Sequence, residues 1–115
     1  MARQQDTAHE PRACDAALTR AFEFLGKRWN GVLLGTLIAG PAGFSELRRA
    51  VVGISDSVLS ERLAELTKAG LVARTVDPGP PVAVTYTLTE SGRALLPALQ
   101  ELTAWASNNL PPSGC

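Results

Sequence analysis

Between Trp29 and Leu37, the side chains of Trp29, Val32, Leu33, Thr36 and Leu37 fall at the i, i+3, i+4, i+7, i+8 spacing of one helix face. A shorter stripe precedes it. Leu18, Phe22 and Leu25 recur at i, i+4, i+7 within a helix expected from Cys14 to Leu25, and Gly26 separates the two. Gly40-Pro41 closes the second helix, while Gly31 and Gly35 inside it lower helix propensity; their expected use is to let another helix approach closely. A third, short helix is predicted from about Phe44 to Val51, with Phe44 and Leu47 inward. After a tight turn at Gly53, Ser55 is a good N-cap and Asp56 sits in the first turn, where the helix dipole favours an anion. In the fourth helix Leu59, Leu63 and Leu66 share a face. Ser57, Glu61, Ala64 and Lys68 lie opposite, with Ser60 on the flank, and Gly70 ends the helix.

The period then shortens to that of strands. "LVARTV" and "VAVTYTL" flank the loop Asp77 to Pro81, and Val82, Val84, Tyr86 and Leu88 alternate with Ala83, Thr85 and Thr87. The two runs read as a hairpin. Thr89 can cap a last helix whose stripe is Leu95, Leu99, Leu102 and Trp105 or Ala106, with a kink or restart expected at Pro97. The predicted fold class is mainly α with a small β-hairpin (α+β), in one domain over residues 14–109. Residues 1–13 are expected to be a disordered tail and residues 110–115 a flexible one. A helix-turn-helix followed by a two-stranded wing is the winged-helix arrangement. Its polar rod, about residues 55–69, would be the recognition helix entering a DNA major groove, beside a wing of about residues 71–88.

Composition narrows this picture. At 115 residues, 45% hydrophobic and with mean hydropathy +0.06, the chain is an ordinary globular domain with a modest core. Its longest apolar run, "GVLLGTLIAGPA", is about a dozen residues against the roughly 20 a membrane span needs, and the polar N-terminus lacks a signal core. A cytoplasmic protein without membrane contact is expected. Cys14 and Cys115 lie at opposite ends with no CxxC, so neither a disulfide scaffold nor a metal site is expected, and no cofactor. Net charge is zero, but Arg20 to Arg74 holds eight basic and five acidic residues, leaving +3 there and −3 on the flanks. With no nucleophile elbow, no phosphate-cradling loop and His9 confined to the tail, an enzyme is not expected.

"LGKRWNGVLL", "GPAGFSELRRAVVGISDSVLSERLAEL", "AGLVAR", "YTLTESG" and "LPALQELTAW" together resemble the HxlR-type family of bacterial winged-helix transcriptional regulators, over roughly Leu18 to Trp105. The resemblance implies a homodimer bound to a roughly palindromic operator in double-stranded DNA, its first and last helices forming the dimer. Leu18, Phe22, Leu25, Leu99, Leu102 and Trp105 would then be the dimer surface; closing the monomer core is the alternative use of the same stripes. The chain departs from the family pattern in three places. Ser57 stands where Lys is frequent, "PPVAVTY" carries no basic residue and puts Thr85 where Glu is common, and Cys14 lies further from Trp29 than the usual cysteine. A wing without a cation beyond its prolines should make fewer phosphate contacts.

Ser57, Ser60 and Glu61 occupy the outward side of the first two turns of the polar helix: Ser hydroxyls bond to any base edge, and Glu accepts from cytosine N4. Arg48 and Arg49 lie on the preceding helix, which in such motifs crosses the DNA backbone, and Arg48 is favoured for a phosphate. Ser45 could cap that helix or meet a phosphate. Arg62, about 60° from the leucine stripe by helical stepping, either reaches a phosphate or pairs with Glu46 or Glu65. Arg74, on the first wing strand, and Arg28 are further basic candidates, and Trp29 reads as core. Cys14 is the redox candidate, since some members of the family sense oxidants or electrophiles through a cysteine near this point; a helix N-terminus there favours a reactive thiolate in general, and Asp15 works the other way. A protein-interaction module without DNA binding is the other alternative, and a small-molecule effector in a dimer cleft stays open.

Overall fold

A computed structural model describes residues 12–112. The chain opens with α1 (Ala16–Leu25), capped by Asp15, whose Oδ1 accepts from the Leu18 amide at 3.0 Å. Next come α2 (Asn30–Thr36), continued by a 3₁₀ turn (Leu37–Ala39), and α3 (Phe44–Ala50). α4 (Asp56–Lys68) starts where expected, with Ser55 Oγ accepting from the Val58 amide at 3.2 Å. It stops at Gly70, whose φ of 82° is open to glycine at little cost. Strands β1 (Val72–Asp77) and β2 (Ala83–Leu88) pair antiparallel, from Val72 opposite Leu88 to Asp77 opposite Ala83. Ala42 adds a single bridge on the other edge of β2, exchanging both backbone hydrogen bonds with Tyr86 at 3.0 and 2.8 Å.

The expected break at Pro97 is a restart. Thr89 caps the short α5 (Glu90–Ala94), and α6 (Leu96–Asn109) begins afresh with the proline in its first turn, where the missing N–H costs nothing. Thr89 also donates to the Gly70 carbonyl at 2.6 Å, fastening α5 to the start of the wing.

The core lies where α2, α3, α4 and the foot of the hairpin converge. Leu33 and Leu34 of α2, Leu47 of α3 and Leu59, Leu63 and Leu66 of α4 are almost wholly buried, with Val72 and Leu88 closing the wing side. Each such side chain contributes about 1.5–3 kcal/mol of burial. The helices outside this core differ. α1 and α6 have no fully buried residue: Phe24, Leu25, Leu96 and Leu99 only lean on the core, while Leu18, Phe22, Leu102 and Trp105 stay exposed.

Three expectations need correction. No helix presses on the glycines of α2: a Cβ at Gly35 would meet nothing within 4 Å, and one at Gly31 would make only an ordinary contact with Leu25 at 3.9 Å. Both instead line a shallow apolar groove with Val32, Ile38, Leu99 and Leu102, so Val32 is not part of the inward face. Nor does Ser45 cap α3. Glu46 takes that place, its Oε1 accepting from the Gly43 amide at 2.9 Å.

Candidate nucleic-acid interface

α3, the bend after it, α4 and the hairpin form one continuous surface. The bend turns on Val51 and Ile54, both buried, and on Gly53, whose φ of 93° favours glycine. A Cβ at Gly53 would lie 3.9 Å from Cη2 of Trp29, so the half-buried indole backs the bend from beneath. Arg28 covers the same ring, its guanidinium 4.4 Å from the centroid. Trp29 is thus packing, and Arg28 is occupied with it.

α4 divides cleanly. Leu59, Leu63 and Leu66 are at most 1% exposed, and Ser57, Ser60, Glu61, Ala64 and Lys68 face solvent on the other side. Ser57, Ser60 and Glu61 are exposed; Ser57 shares a hydrogen bond with the neighbouring Ser55 hydroxyl at 3.4 Å, and Glu61 stands 3.7 Å from Arg62. Hydroxyls and a carboxylate on an open helix face are groups that exchange hydrogen bonds with base edges.

The cations are distributed unevenly. On α3, Arg48 and Arg49 are exposed; Arg48 bridges to Asp56 at 3.3 Å, and Arg49 has no ion-pair partner among the described residues. Arg74 projects from β1 opposite Tyr86 and is exposed. Beyond it the hairpin tip carries Asp77, bonded to the Gly79 amide at 3.1 Å, and the exposed Val76 and Val82. Arg62 behaves differently. Only 14% exposed, it turns along the leucine seam to bond Glu65, with Glu61 3.7 Å away. Of its two expected uses, internal pairing with Glu65 is the one seen, and Glu46 is engaged elsewhere.

Glu65 is a hub the leucine pattern did not single out. Besides Arg62, it accepts from Lys27 Nζ at 2.5 Å and from Asn30 Nδ2 at 3.5 Å. Asn30 is fully buried and also donates to the Phe24 carbonyl in the last turn of α1, at 3.0 Å. The hydrogen bond from Lys27 does most to hold the Glu65 carboxyl below its usual range. Desolvation opposes it, and Asn30 with the charges of Arg62 and Lys27 reinforces it. A polar asparagine at the start of an apolar helix was the one available signal.

The candidate dimer residues separate into two groups. Leu25 and Leu99 rest against the core, while Leu18, Phe22, Leu102 and Trp105 present apolar surface outward. Cys14 is exposed and free, one residue before the cap of α1. His9 and Cys115 lie outside the described residues. Among the described residues no helix is long and apolar enough to cross a membrane.

A polar rod standing clear of its own core, with arginines beside it and a wing at its flank, is a surface built to meet a duplex. It puts the chain in the class of winged-helix, DNA-binding transcriptional regulators. Residues 24–114 match the HxlR-like helix-turn-helix family, and the chain belongs to it. The HTH-type transcriptional regulator YodB of Bacillus subtilis (strain 168) is 47% identical over 92 residues, 80% of this chain and 82% of its own. The structure of reduced YodB from B. subtilis superimposes with a TM-score of 0.77 at 42% identity, over 89% of this chain and 100% of that one. Quinone-bound YodB does so with 0.71 at 40%, over 82% and 99%. The redox regulator HypR in its oxidized form gives 0.77 at 32% identity, over 84% and 99%.

Proposed function

We propose that this regulator acts in the cytoplasm as a homodimer on a roughly palindromic operator, α4 reading bases in the major groove while α3 and β1 hold phosphates. The observation that carries the reading is the division of α4: its leucine side is sealed, and Ser57, Ser60 and Glu61 stand exposed on the other side. Arg48, Arg49 and Arg74 supply the positional contacts, and Ser45, exposed at the start of α3, adds a hydroxyl beside them. Arg62 serves the protein rather than the duplex. Dimerisation buries the outward apolar side chains of α1 and α6, which a monomer would leave in water.

Selection of bound duplexes from a random pool tests this. An inverted repeat with half-sites about one helical turn apart, or a multiple of it, is expected. Binding that is undetectable at low salt would instead favour a protein-interaction module.

A second reading concerns regulation. Cys14 is exposed beside the amino end of α1, and two relatives are described as a quinone-bound regulator and a redox regulator. We infer that Cys14 is the sensing thiol: its thiolate adds to a quinone ring, forming a C–S bond, and the ring takes up a proton to become the hydroquinone.

A further inference from the structure

Three leucines attach α4 to the core, and apolar contact of that kind is non-directional: it resists separation more than it resists rotation about the helix axis. Base readout is sensitive to that rotation. A side-chain tip lies roughly 6 Å from the axis, so a turn of about 20° carries it about 2 Å, enough to break a hydrogen bond. Something directional must fix the rod.

The four-residue polar cluster on the flank of α4 has that character. Glu65 binds Lys27 and Asn30, which belong to the corner between α1 and α2, and it binds Arg62 one turn earlier on its own helix. The Lys27 and Arg62 bonds are charge-assisted and demand defined geometry. Arg62 is mostly buried and Asn30 wholly so, which shields their bonds to Glu65 from screening, while Lys27 is half-exposed and its bond is the more screened one. Asn30 also fastens the Phe24 carbonyl, so the same cluster ties the carboxyl end of α1 to α4. Ser57 and Ser60 lie away from Glu65, while Glu61, one turn before it, stands 3.7 Å from Arg62 at the edge of the cluster.

We propose that Glu65 is a positioning residue for DNA reading: by binding Lys27 and Asn30 on one side and Arg62 on the other, it fixes the rotation of α4 and thereby the angle at which Ser57, Ser60 and Glu61 meet the base pairs. The inference rests on α4 being the reading helix. Cutting the hub lowers sequence discrimination rather than general affinity, because the phosphate-holding arginines of α3 and β1 are untouched.

The test compares Glu65→Gln and Lys27→Gln with the parent on the best duplex selected from a random pool and on a random duplex, at one salt concentration, with melting temperatures recorded. The ratio of the two affinities is expected to fall about tenfold in both variants, the size of one lost base contact. Affinity for the random duplex should stay level in Lys27→Gln and stay level or rise in Glu65→Gln, which releases Arg62. Lys27→Gln keeps the Arg62 pair intact and serves if Glu65→Gln does not fold. A ratio unchanged in the folded variants, or both affinities falling by one factor, overturns the proposal. Ser57, Ser60 and Glu61 changed together to Ala provide the control. If that triple variant loses preference while the hub variants keep it, only the hub idea fails; if it keeps preference, the reading helix is misassigned and the hub idea falls with it.

Discussion

Arg48 on α3 reaches across the bend of the helix-turn-helix to Asp56 in the first turn of α4, Nε standing 3.3 Å from Oδ1. The side chains are 50% and 67% exposed, so water and salt screen the pair, and it contributes little to folding. Its consequence is geometric. Asp56 holds the guanidinium at the mouth of the bend, beside the start of the reading helix.

Arg48→Ala should therefore weaken operator and random duplex by the same factor and lower the salt slope by about one contact. The folding free energy should move by less than about 0.5 kcal/mol, as for most exposed positions. Asp56→Asn releases the arginine and should raise affinity for the random duplex. Titrations at several salt concentrations measure both. A sequence-selective loss in Arg48→Ala would contradict a phosphate role.

Glu61 is the strongest candidate for a base-specific contact, because a carboxylate near DNA is repelled by phosphates and is tolerated where it accepts from a base. Glu61→Ala is expected to relax preference at one cytosine-bearing position by about 1–3 kcal/mol. Repeating the pool selection with the variant would show that position losing its bias. A consensus identical to the parent's would remove Glu61 from the reading surface.

Local chemistry made much of the fold legible. Ser55 and Thr89 cap where short hydroxyl side chains precede helical spacing, Gly70 stops α4, and Pro97 forces the α5–α6 restart. The two faces of α4 followed from stepping alone. What stayed hidden depends on tertiary geometry. Arg62 lies on the boundary of a helix face, where stepping cannot decide between solvent and a partner such as Glu65 one turn on. Leu25 and Leu99 belong to the same stripes as Phe22 and Leu102, yet only the packing of α1 and α6 shows which of them touch the core. The bridge between Ala42 and Tyr86 joins residues far apart in sequence and has no periodic signature.

Gly92 is another such position. In sequence it is a glycine after a cap, but in the fold a Cβ there would sit 2.2 Å from the Leu71 carbonyl oxygen and 3.2 Å from Leu88 Cδ2. Backbone cannot give way as a side-chain tip can, so Gly92→Ala must push α5 off the foot of the wing. A loss of about 1–3 kcal/mol is expected, the usual cost of forcing a methyl into a packed site. Denaturant melts would measure it. A neutral or stabilising result would mean that α5 seats differently from the arrangement described.

The Glu65 hub also predicts how stability varies with acid. Its carboxyl is held below the usual 4.5 in the folded protein, so the unfolded chain takes up this proton first as pH falls. The contribution is fully present above 4.5 and is lost as pH drops through the lower, folded value. Glu65→Gln has no such proton to bind. The stability gap between parent and variant should be constant near neutrality and shrink below 4.5. A gap that is level down to a pH of about 3 would show that the hub's charge contributes nothing to folding.

Cys14 stands one residue ahead of Asp15, whose carboxylate caps α1 and spends its Oδ1 on the Leu18 amide. Exposure leaves the Cys14 sulfur open to soluble electrophiles. Treating the operator complex with a quinone is expected to alter release of the parent protein and to leave Cys14→Ser unaffected, with untreated affinities equal in both. Intact mass should rise by one quinone per parent chain. Should Cys14→Ser respond like the parent, the sensing thiol lies elsewhere in the chain; should neither respond while the parent carries the adduct, modification at Cys14 is not transmitted to α4.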